Sequence, residues 1–434
     1  GKDASLVIYD DYRDEFPFRL TIRNETRAQS IVSRSGRLKI CYETANFRTV
    51  LFTVAIVADE DIDDGTGIAH DLRISNSYIR RNSGRGIWVD NPRSGVKLFN
   101  TTVLLHDYTS GIHIENGTGE VIIQASHIAN NTGHGIFINL AGGYYHIDNS
   151  SINDNTLKGI TIEYDKRPEL LPFNHTMHLG YSLVSGNGEN GLFIGNVCRS
   201  DAFWNISMSS FVNNGEDSIV FQSCLPTKDV LTKFPNMTSR VVNGEANDQY
   251  GRTHLQEVLI THNKFYANQR RAIKMAPIFF VKSFIKHNLF KDHALAVLHI
   301  NNQVFSDELS SVSILAPVNA RISSNRFYSN RGRFVASIGL LEEASKQTLT
   351  FTKNYLEDNE IREPYPDLKP RSRVSAVVVV SSSNVKVVQN KFVNPLSIYE
   401  IGSQLEAHGK VINATANFWG YGLDAISIYR RIFD

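Results

Sequence analysis

Pairs of apolar residues separated by one position recur along the chain between Leu72 and Phe221. A small residue precedes each pair, and the six starts are Gly86-Ile87, Gly111-Ile112, Gly135-Ile136, Gly159-Ile160, Gly191-Leu192 and Ser218-Ile219. They follow one another at intervals of 25, 24, 24, 32 and 27 residues. Residues two positions apart lie on one face of a strand. The pattern therefore predicts short strands, with one copy in each unit of a stacked repeat.

Two polar positions also recur before each apolar pair. We call each set of equivalent positions in successive units a column. A hydroxyl residue stands ten positions before the first apolar residue, at Ser77, Thr102, Ser126, Ser150, Ser182 and Ser209, and the residue two positions after each is apolar: Ile79, Leu104, Ile128, Ile152, Val184 and Phe211. A corner residue stands five positions before the pair, at Asn82, Asp107, Asn131, Asn155, Asn187 and Asn214. Asparagine tolerates the left-handed backbone of a tight corner, and its amide can bond to copies in neighbouring units.

The repeat continues with different residues after Cys224. The hydroxyl column becomes asparagine, at Asn263, Asn288, Asn325, Asn354, Asn390 and Asn417, and the following apolar column contains Phe265, Phe290, Phe327, Leu356, Phe392 and Trp419. Asn268 and Asn330 continue the corner column. We expect the aromatic rings to stack inside the molecule, because they occupy the column of Ile79 and Leu104.

A unit of about 24 residues with short strands and no helical pattern is typical of a parallel β-helix, and the Leu-x-x-Leu-x-Leu phrase of leucine-rich repeats is absent. We predict an all-β fold, a right-handed parallel β-helix of about twelve coils at residues 65–420. Residues 1–64 contain strand-like segments without the repeat and are predicted to form an N-terminal β cap that protects the first coil. Residues 421–434 are predicted to add a short C-terminal capping helix, with Ile426, Tyr429, Ile432 and Phe433 covering the last coil.

Composition narrows the functional classes. The chain has 45 Lys and Arg residues against 44 Asp and Glu, so its net charge is +1, which argues against a nucleic-acid partner because such proteins carry a basic face. No apolar run approaches the roughly 18 residues that span a bilayer, so we expect that this fragment itself does not cross a membrane. The chain opens at Gly1 without a methionine or a signal peptide, and we expect it to be part of something longer.

Glycosylation sequons and cysteines indicate a secreted protein. Nine Asn-x-Ser/Thr sequons are present, at Asn24, Asn100, Asn116, Asn130, Asn149, Asn174, Asn205, Asn236 and Asn413. Cys198 and Cys224 stand at nearly equivalent places in adjacent coils, which predicts a disulfide in an oxidising compartment. Cys41 is left over, either as a buried thiol or with a partner outside this fragment.

An enzyme is the main alternative, because β-helices often degrade carbohydrates. Asp90, Glu115 and Glu163 are predicted to share an outward column, and Asp90 and Glu115 would lie about one coil apart, near the roughly 5 Å of a retaining carboxylate pair. A glycan on Asn116 would crowd them, and the acidic column ends after Glu163. We therefore predict no catalytic residues.

No cofactor and no metal site are predicted either. His113 and His134 lie on different columns without a third ligand. The acidic run Asp59–Asp64 lacks the spacing of an EF-hand, which favours a solvated linker over a calcium site.

Three surfaces are candidates for interaction. Trp88, Phe137 and Phe193 would form an outward aromatic stripe on alternate coils, unless an inserted loop covers them. Four long insertions follow the second strand of their coils and would gather on one side, which in solenoids is often the binding face: Tyr164–Thr176, Ser223–Leu255, Asn301–Val318 and Gly402–Lys410. The residues Arg270, Arg271, Lys274, Lys282 and Lys286 form a basic patch, either a solvated face or a site for a glycosaminoglycan or acidic partner.

The two ends of the chain carry a resemblance. The opening Val7–Phe18, the closing Asn417–Gly420 with Arg431–Asp434, and the coils between them resemble one extracellular repeat module of the Bark beetle (Anakonda) family, very large single-pass cell-surface proteins of insects. The resemblance implies a structural role at tricellular contacts of epithelia, where septate junctions meet, and it implies no catalytic residues.

The resulting expectation is a non-catalytic adhesion or scaffold module in the extracellular part of a plasma-membrane protein at cell junctions. Its expected partners are other junction proteins or copies of itself, and N-linked glycans. A polysaccharide hydrolase that uses Asp90, Glu115 and Glu163, or a glycan-binding β-helix without turnover, remains the alternative.

Overall fold

A computed structural model gives the fold. It describes residues 4–10, 18–22, 38–43, 55–57, 71–81, 84–90, 95–107, 109–116, 118–140, 142–164, 174–195, 201–222, 256–275, 281–293, 298–301, 318–332, 334–339, 348–361, 376–380, 383–403 and 411–433. These residues are almost entirely strand, and most strands belong to three parallel sheets that share one core.

The long sheet has 13 strands. In spatial order they are Ala55–Val57, Ile87–Asp90, Ile112–Glu115, Ile136–Leu140, Ile160–Tyr164, Leu192–Gly195, Ile219–Phe221, Ile273–Met275, Leu298–Asn301, Ala336–Gly339, Val378–Val380, Ile401–Ser403 and Ile432–Phe433. Strands that are neighbours in space lie one coil apart in the chain. The sheet therefore runs along the length of the solenoid.

Two further sheets of 11 strands complete each coil. The wide sheet contains Asp71–Ser75, Gly95–Phe99, Thr118–Gln124, Gly142–Asp148, His175–Gly180, Ala202–Ser207, Gln256–Thr261, Val281–Lys286, Val318–Ser323, Thr348–Thr352 and Val385–Val388. The narrow sheet has strands of three residues: Tyr78–Arg80, Thr102–Leu104, His127–Ala129, Ser151–Asn153, Leu183–Ser185, Ser210–Val212, Lys264–Tyr266, Leu289–Lys291, Arg326–Tyr328, Tyr355–Glu357 and Lys391–Val393. A bridge between Lys391 and Phe418 adds the twelfth coil.

Identical residues stack on one another, as the repeat predicts. Ile112 pairs with Ile87 on one side and with Ile136 on the other, and Ile136 pairs with Ile160. All four side chains are at least 95% buried. Because strand side chains alternate between the two faces, the second member of each apolar pair also points into the core. The parallel β-helix is confirmed.

Two buried ladders of polar side chains hold the corners together. In the first, the backbone N–H of Ser126 donates to Ser150 Oγ at 3.2 Å, and the pattern continues through Ser182, Ser209 and Asn263 to Asn417. In the second, both the backbone N–H and Nδ2 of Asn155 donate to Asn187 Oδ1, at 3.2 and 2.9 Å. Each side chain thereby accepts the corner N–H that has no strand partner.

In the first coils a glycine precedes the apolar pair and makes room for the second ladder, whereas Ser218, Val335 and Val377 occupy this position in later coils. A Cβ on Gly135 would lie 2.7 Å from Asn155 Nδ2 and 2.7 Å from the carbonyl oxygen of Gly159. Gly111, Gly159 and Gly191 meet the ladder amide and the next coil's carbonyl in the same way. In these coils the small residue recognised in the sequence therefore leaves space for the stacked amides.

The predicted alignment of the second coil is wrong by one residue. Thr101, rather than Thr102, donates its N–H to Ser126 Oγ, and Val103, rather than Leu104, pairs with Ile128 inside the core. In the corner column His106, rather than Asp107, donates its N–H to Asn131 Oδ1 at 3.2 Å. This coil has one extra residue between the corner and Gly111, which a constant offset cannot detect. Asn82 lies outside the described residues.

The second half of the solenoid replaces aliphatic side chains with an aromatic stack. Phe211, Phe265, Phe290 and Phe327 follow one another with ring centroids 5.2, 4.8 and 4.8 Å apart and nearly parallel planes. All four rings are fully buried. The expectation of an internal stack is confirmed, and offset stacking adds to the burial energy.

The N-terminal segment contains a small antiparallel sheet in which Ala4–Asp10 lies between Phe18–Ile22 and Leu38–Glu43. The later strand Ala55–Val57 already pairs in parallel with Ile87–Asp90 as the first strand of the long sheet. The division of the chain at residues 64 and 420 stays a prediction.

The C-terminal end is closed by a charged pair and a strand rather than by the helix. Glu400, fully buried, accepts hydrogen bonds from Asn394 N and Nδ2, the last donors of the second ladder, and from Arg431 at 2.8 Å. Ile432–Phe433 pairs with Ile401 and Gly402. The short helix Ala425–Tyr429 is present and is capped by Asp424. Its expected apolar face is wrong, however, because Ile426 and Tyr429 are 65% and 74% exposed.

The flanking strands show where the insertions leave the solenoid. The first three of the four long insertions connect a long-sheet strand with the following wide-sheet strand, and the fourth follows the long-sheet strand Ile401–Ser403. All four therefore leave at the end of a long-sheet strand, while the segment after Glu360–Ile361 leaves beyond the narrow sheet. The inserted residues are largely outside the described part of the chain.

Replacement of Asn187 by alanine tests the second ladder. It leaves Asn155 N and Nδ2 buried without their acceptor, and each buried unsatisfied donor costs about 1–3 kcal/mol. We expect the free energy of unfolding, measured with urea, to fall by about 3 kcal/mol. Asn153→Ala, in a narrow-sheet strand at the surface, is the control and should change stability by less than about 0.5 kcal/mol. Equal losses for the two variants would contradict the ladder's role.

His293→Asn tests a break in the same ladder. His293 N donates to Asn330 Oδ1, but the buried imidazole stands where other coils place an amide. Burial lowers the pKa of His293 from 6.5 to about 4, so the unfolded chain takes up the proton first and stability is lost as pH falls from 6.5 to 4, by up to about 3 kcal/mol.

Asparagine cannot titrate and can extend the amide ladder. We expect the variant to be more stable than the parent at pH 5 and to lose less stability between pH 7 and pH 4.5 in urea unfolding. Burial raises the pKa of Glu400 to about 7, which favours the folded state as pH falls, but this effect is common to both proteins and cancels in the difference. An unchanged pH profile would contradict the assignment.

Candidate functional site

The outer face of the long sheet carries the residues that the sequence singled out. Its pairing places one outward column in the order Trp88, His113, Phe137, Thr161, Phe193, Val220 and Lys274. A second outward column contains Asp90, Glu115, Asn139, Glu163 and Gly195. Both columns are outward because they alternate with the buried aliphatic residues of the same strands.

The aromatic stripe is half-buried under charged and imidazole side chains. The Arg85 guanidinium lies 4.7 Å from the Trp88 ring, and Lys158 Nζ lies 4.9 Å from the Phe193 ring. The His113 ring stacks on Phe137 with centroids 4.6 Å apart. These contacts are favourable cation–π and ring interactions, so the stripe is a mixed polar and aromatic surface rather than an open apolar patch.

Glu115 is the centre of the polar contacts on this face. Its Oε1 accepts a 2.9 Å hydrogen bond from Trp88 Nε1 and lies 3.6 Å from the Arg85 guanidinium. His113 Nε2 lies 3.1 Å from Oε2, without the alignment of a full hydrogen bond. Partial burial opposes ionisation, but His113, Trp88 and Arg85 together lower the pKa of Glu115 below its ordinary value. The side chain is therefore a carboxylate at neutral pH.

Asp90 and Glu115 are neighbours on adjacent strands, as the column predicts. Asp90 Oδ1 accepts a 2.8 Å hydrogen bond from Asn116 Nδ2, the amide of a sequon. Glu163 lies two coils from Glu115, with Asn139 between them. A retaining glycosidase needs one protonated carboxyl as acid and one carboxylate as nucleophile. The contacts of Glu115 favour its ionised form, so they do not prepare this side chain as the proton donor.

Burial lowers the pKa of three histidines of the solenoid. Burial, together with Lys158, lowers the pKa of His134 to about 4, and burial lowers the pKa of His175 to about 4. His113 is also shifted down by burial, although Glu115 opposes the change in its pKa. Within the part of the chain that the structure describes, no three His, Cys, Asp or Glu side chains come together as metal ligands.

The sequons occupy several positions on the coils. Four of the asparagines lie at corners with left-handed backbone, at φ of 47, 59, 54 and 48° for Asn100, Asn116, Asn130 and Asn149. Asn100, Asn130, Asn149, Asn174 and Asn413 are exposed, while Asn116 and Asn205 are partly buried. Asn24, Asn236, Cys198 and Cys224 lie outside the described residues. Cys41 lies in a strand of the small antiparallel sheet, opposite Val7. Glycosylation and the disulfide stay predictions.

Sequence reasoning missed an outward surface on the narrow sheet. In the second half of the solenoid, lysine, arginine and tyrosine flank the buried aromatic column, as in Lys264-Phe265-Tyr266 and Arg326-Phe327-Tyr328. The signal was present, because residues on either side of an inward position must point outward. The partnership of Glu400 with Arg431 carried no comparable signal, since the two residues belong to no repeat column.

Comparisons with known proteins agree with this architecture. The family model described as right handed beta helix region matches residues 63–227. Protein bark beetle of Drosophila melanogaster is 32% identical over 458 aligned residues, which cover 100% of this chain and 14% of that protein. No solved structure matches significantly. The right-handed β-helix and the resemblance noted at the chain's ends are thus confirmed.

None of the helices in the described part of the chain is long and apolar enough to cross a membrane.

The fluorescence of Trp88 can report the ionisation of Glu115, because the indole N–H donates a hydrogen bond to this carboxylate. Because the pKa of Glu115 is lowered, we expect Trp88 emission to change with a midpoint below pH 4.5 during acid titration. Glu115→Ala should remove this change and shift the emission at neutral pH, since the indole N–H loses its acceptor. Glu163→Ala, on the same column two coils away, is the matched control. The chain contains three tryptophans, so a signal that persists in Trp88→Phe would contradict the assignment.

Proposed function

We propose that this right-handed β-helix, which is similar over its whole length to Protein bark beetle, is a non-catalytic adhesion or scaffold module. It acts in the extracellular part of a plasma-membrane protein at epithelial cell junctions. The observation that carries the proposal is the 32% identity across the entire chain. Because the chain spans 14% of that relative, the role concerns one segment of a much larger protein.

The solenoid geometry supports a spacing function. Eleven narrow-sheet strands at about 4.8 Å per coil give a rod about 50 Å long. Successive coils are joined by three sets of strand pairs and by two side-chain ladders, the second of which is broken at His293. Such a rod keeps the residues on its surface at fixed distances from one another. This rigidity suits a module that holds partners at a fixed separation.

The arrangement of surfaces supports contact with other proteins. Four long insertions leave the solenoid at the same edge, the ends of long-sheet strands, and inserted loops in solenoids often form the binding face. We assign the principal contact surface to this side and a second contact to the stripe formed by Trp88, Phe137 and Phe193. The partners are other junction proteins or copies of this chain. Exposed sequon asparagines, as at Asn130 and Asn149, supply N-linked glycans at the corners that border the narrow sheet.

A polysaccharide hydrolase is the alternative that Asp90 and Glu115 favour by their adjacency. The contacts of both residues count against it. Asp90 is bound to the amide of Asn116, and Glu115 has a lowered pKa. The lowered pKa of Glu115 favours its carboxylate rather than the protonated state that a general acid requires.

Targeting in an epithelium tests the junction role. The chain is displayed on a neutral membrane anchor in cultured epithelial cells and imaged beside the anchor alone and an unrelated β-helix of similar length. We expect enrichment at vertices where three cells meet, at least about twofold over bicellular borders, because specific contacts retain the module there. A distribution identical to that of the unrelated β-helix would contradict the role.

A turnover assay separates the module from an enzyme. Purified chain is incubated with a panel of polysaccharides, and reducing ends are measured. We expect no release above buffer. Release that disappears in an Asp90→Asn, Glu115→Gln variant of unchanged unfolding midpoint would establish the hydrolase instead.

A further inference from the structure

We propose that the outer face of the narrow sheet, in the second half of the solenoid, binds an acidic polysaccharide along the rod axis. The face is formed by four cations, Lys264, Lys291, Arg326 and Lys391, and by the rings of Tyr328 and Tyr355. We call it the basic aromatic face. It is distinct from the loop side and the aromatic stripe, and it does not depend on the junction role.

The register places these side chains in two parallel columns. Lys264, Leu289, Arg326, Tyr355 and Lys391 follow one another on successive strands, and Tyr266, Lys291, Tyr328 and Glu357 form the second column. The residue between the columns is buried in every strand. Cations therefore alternate with rings along the axis, at a rise of about 4.8 Å per coil.

The rings hold the cations in place. Lys391 Nζ lies 4.5 Å from the Tyr355 ring and donates a 3.1 Å hydrogen bond to its hydroxyl. The Arg326 guanidinium lies 5.4 Å from the Tyr328 ring and 5.6 Å from the Tyr355 ring. Lys291 Nζ lies 5.6 Å from the Tyr328 ring. Positively charged groups ordered in this way lose less conformational entropy when they bind an anion.

The charge of the face is positive after its acids are counted. Glu357 lies 3.3 Å from Arg326, and Asp292 Oδ2 lies 3.7 Å from Lys291 Nζ. The exposed Asp358 occupies the corner position equivalent to Asp292. Four cations less these three acids leave a charge of +1 on five coils. The first six narrow-sheet strands, Tyr78–Arg80 to Ser210–Val212, present Arg80 as their one lysine or arginine. The concentration of cations is therefore a property of this half and not of the fold.

The basic aromatic face lies in a part of the sequence without glycosylation sequons. No Asn-x-Ser/Thr sequence occurs between Asn236 and Asn413. In the first half, Asn100, Asn130 and Asn149 stand at the corners that border the narrow sheet. Glycans there would cover the same sheet that is left open in the second half.

The face suits a sugar polymer better than an acidic peptide. Its backbone N–H and C=O groups are already paired between coils, so a peptide lying across it could not bind by strand addition and would gain no main-chain hydrogen bonds from the sheet. A polysaccharide needs only side-chain contacts. Its sulfate or carboxylate groups pair with lysine and arginine, and the C–H faces of its sugar rings pack on tyrosine.

Heparin is the probe that tests the proposal. Labelled heparin fragments are titrated with the purified chain, with the face variant Lys264→Gln/Lys291→Gln/Lys391→Gln, and with the control variant Lys274→Gln/Lys282→Gln/Lys286→Gln. Both variants remove three charges, and their unfolding midpoints verify folding. We expect the face variant to lose about tenfold or more in affinity and the control less than about threefold, with a weaker salt dependence for the face variant.

Three further measurements decide the outcome. A Lys264→Arg/Lys291→Arg/Lys391→Arg variant should retain binding, and Tyr355→Leu should weaken it, because the ring contributes beyond charge. Equal losses in the face and control variants would overturn the proposal as non-specific charge attraction. If polyglutamate of matched charge binds as tightly as heparin, the ligand class would be an acidic peptide and the proposal of a sugar polymer would be overturned. Absence of heparin binding by the parent chain at moderate salt would also overturn it.

Discussion

Buried backbone donors at the corners are the constraint on which this solenoid depends. The chain turns within two residues between wide-sheet and narrow-sheet strands and, in most coils, within six or seven between narrow-sheet and long-sheet strands. At each kind of corner an N–H, such as that of Thr101 or Asn131, bonds to a side chain rather than to a backbone carbonyl. In water-free surroundings each unpaired donor costs on the order of 1–3 kcal/mol, and the cost recurs in every coil. Side chains of Ser126 and Asn155 and their equivalents accept these donors from the coil before. In the first coils a glycine beside the corner leaves room for the stacked amides.

The hydrogen bonds of the second ladder all run in one direction along the rod, and this leaves donors without a ladder acceptor at its C-terminal end. Apart from the break at His293, the side chains of the second ladder accept N–H groups from the coil before and donate to the coil after, so its final donors on Asn394 require an acceptor outside the repeat. Glu400 supplies it with both carboxylate oxygens, and Arg431 compensates the buried charge. A closing strand and an ion pair thus perform the capping that a solenoid needs to prevent edge association.

Because stability resides in the inward columns and ladders, the outward columns can differ between parts of the rod. The long sheet carries a Trp88–Glu115–Arg85 cluster, the first half of the narrow sheet is bordered by sequons, and the second half carries cations between tyrosine rings. One scaffold therefore presents several chemically different faces at fixed relative positions. This property suits a module that meets more than one partner, whether protein or polysaccharide.

The sequence by itself determined the coil, its period and the identity of most inward residues, because each inward position must meet the same neighbours in every coil. Repetition then makes residues such as Ile112 and Asn187 recognisable without coordinates. Only the tertiary structure decided the alignment of the second coil. One extra residue between the corner and Gly111 places His106, rather than Asp107, in the ladder. The tertiary structure also decided the pairing of Glu400 with Arg431 and the joining of Arg326 and Tyr355 into one face. These contacts join residues whose separation varies with insertions or that stand outside the repeat, so no constant interval predicts them.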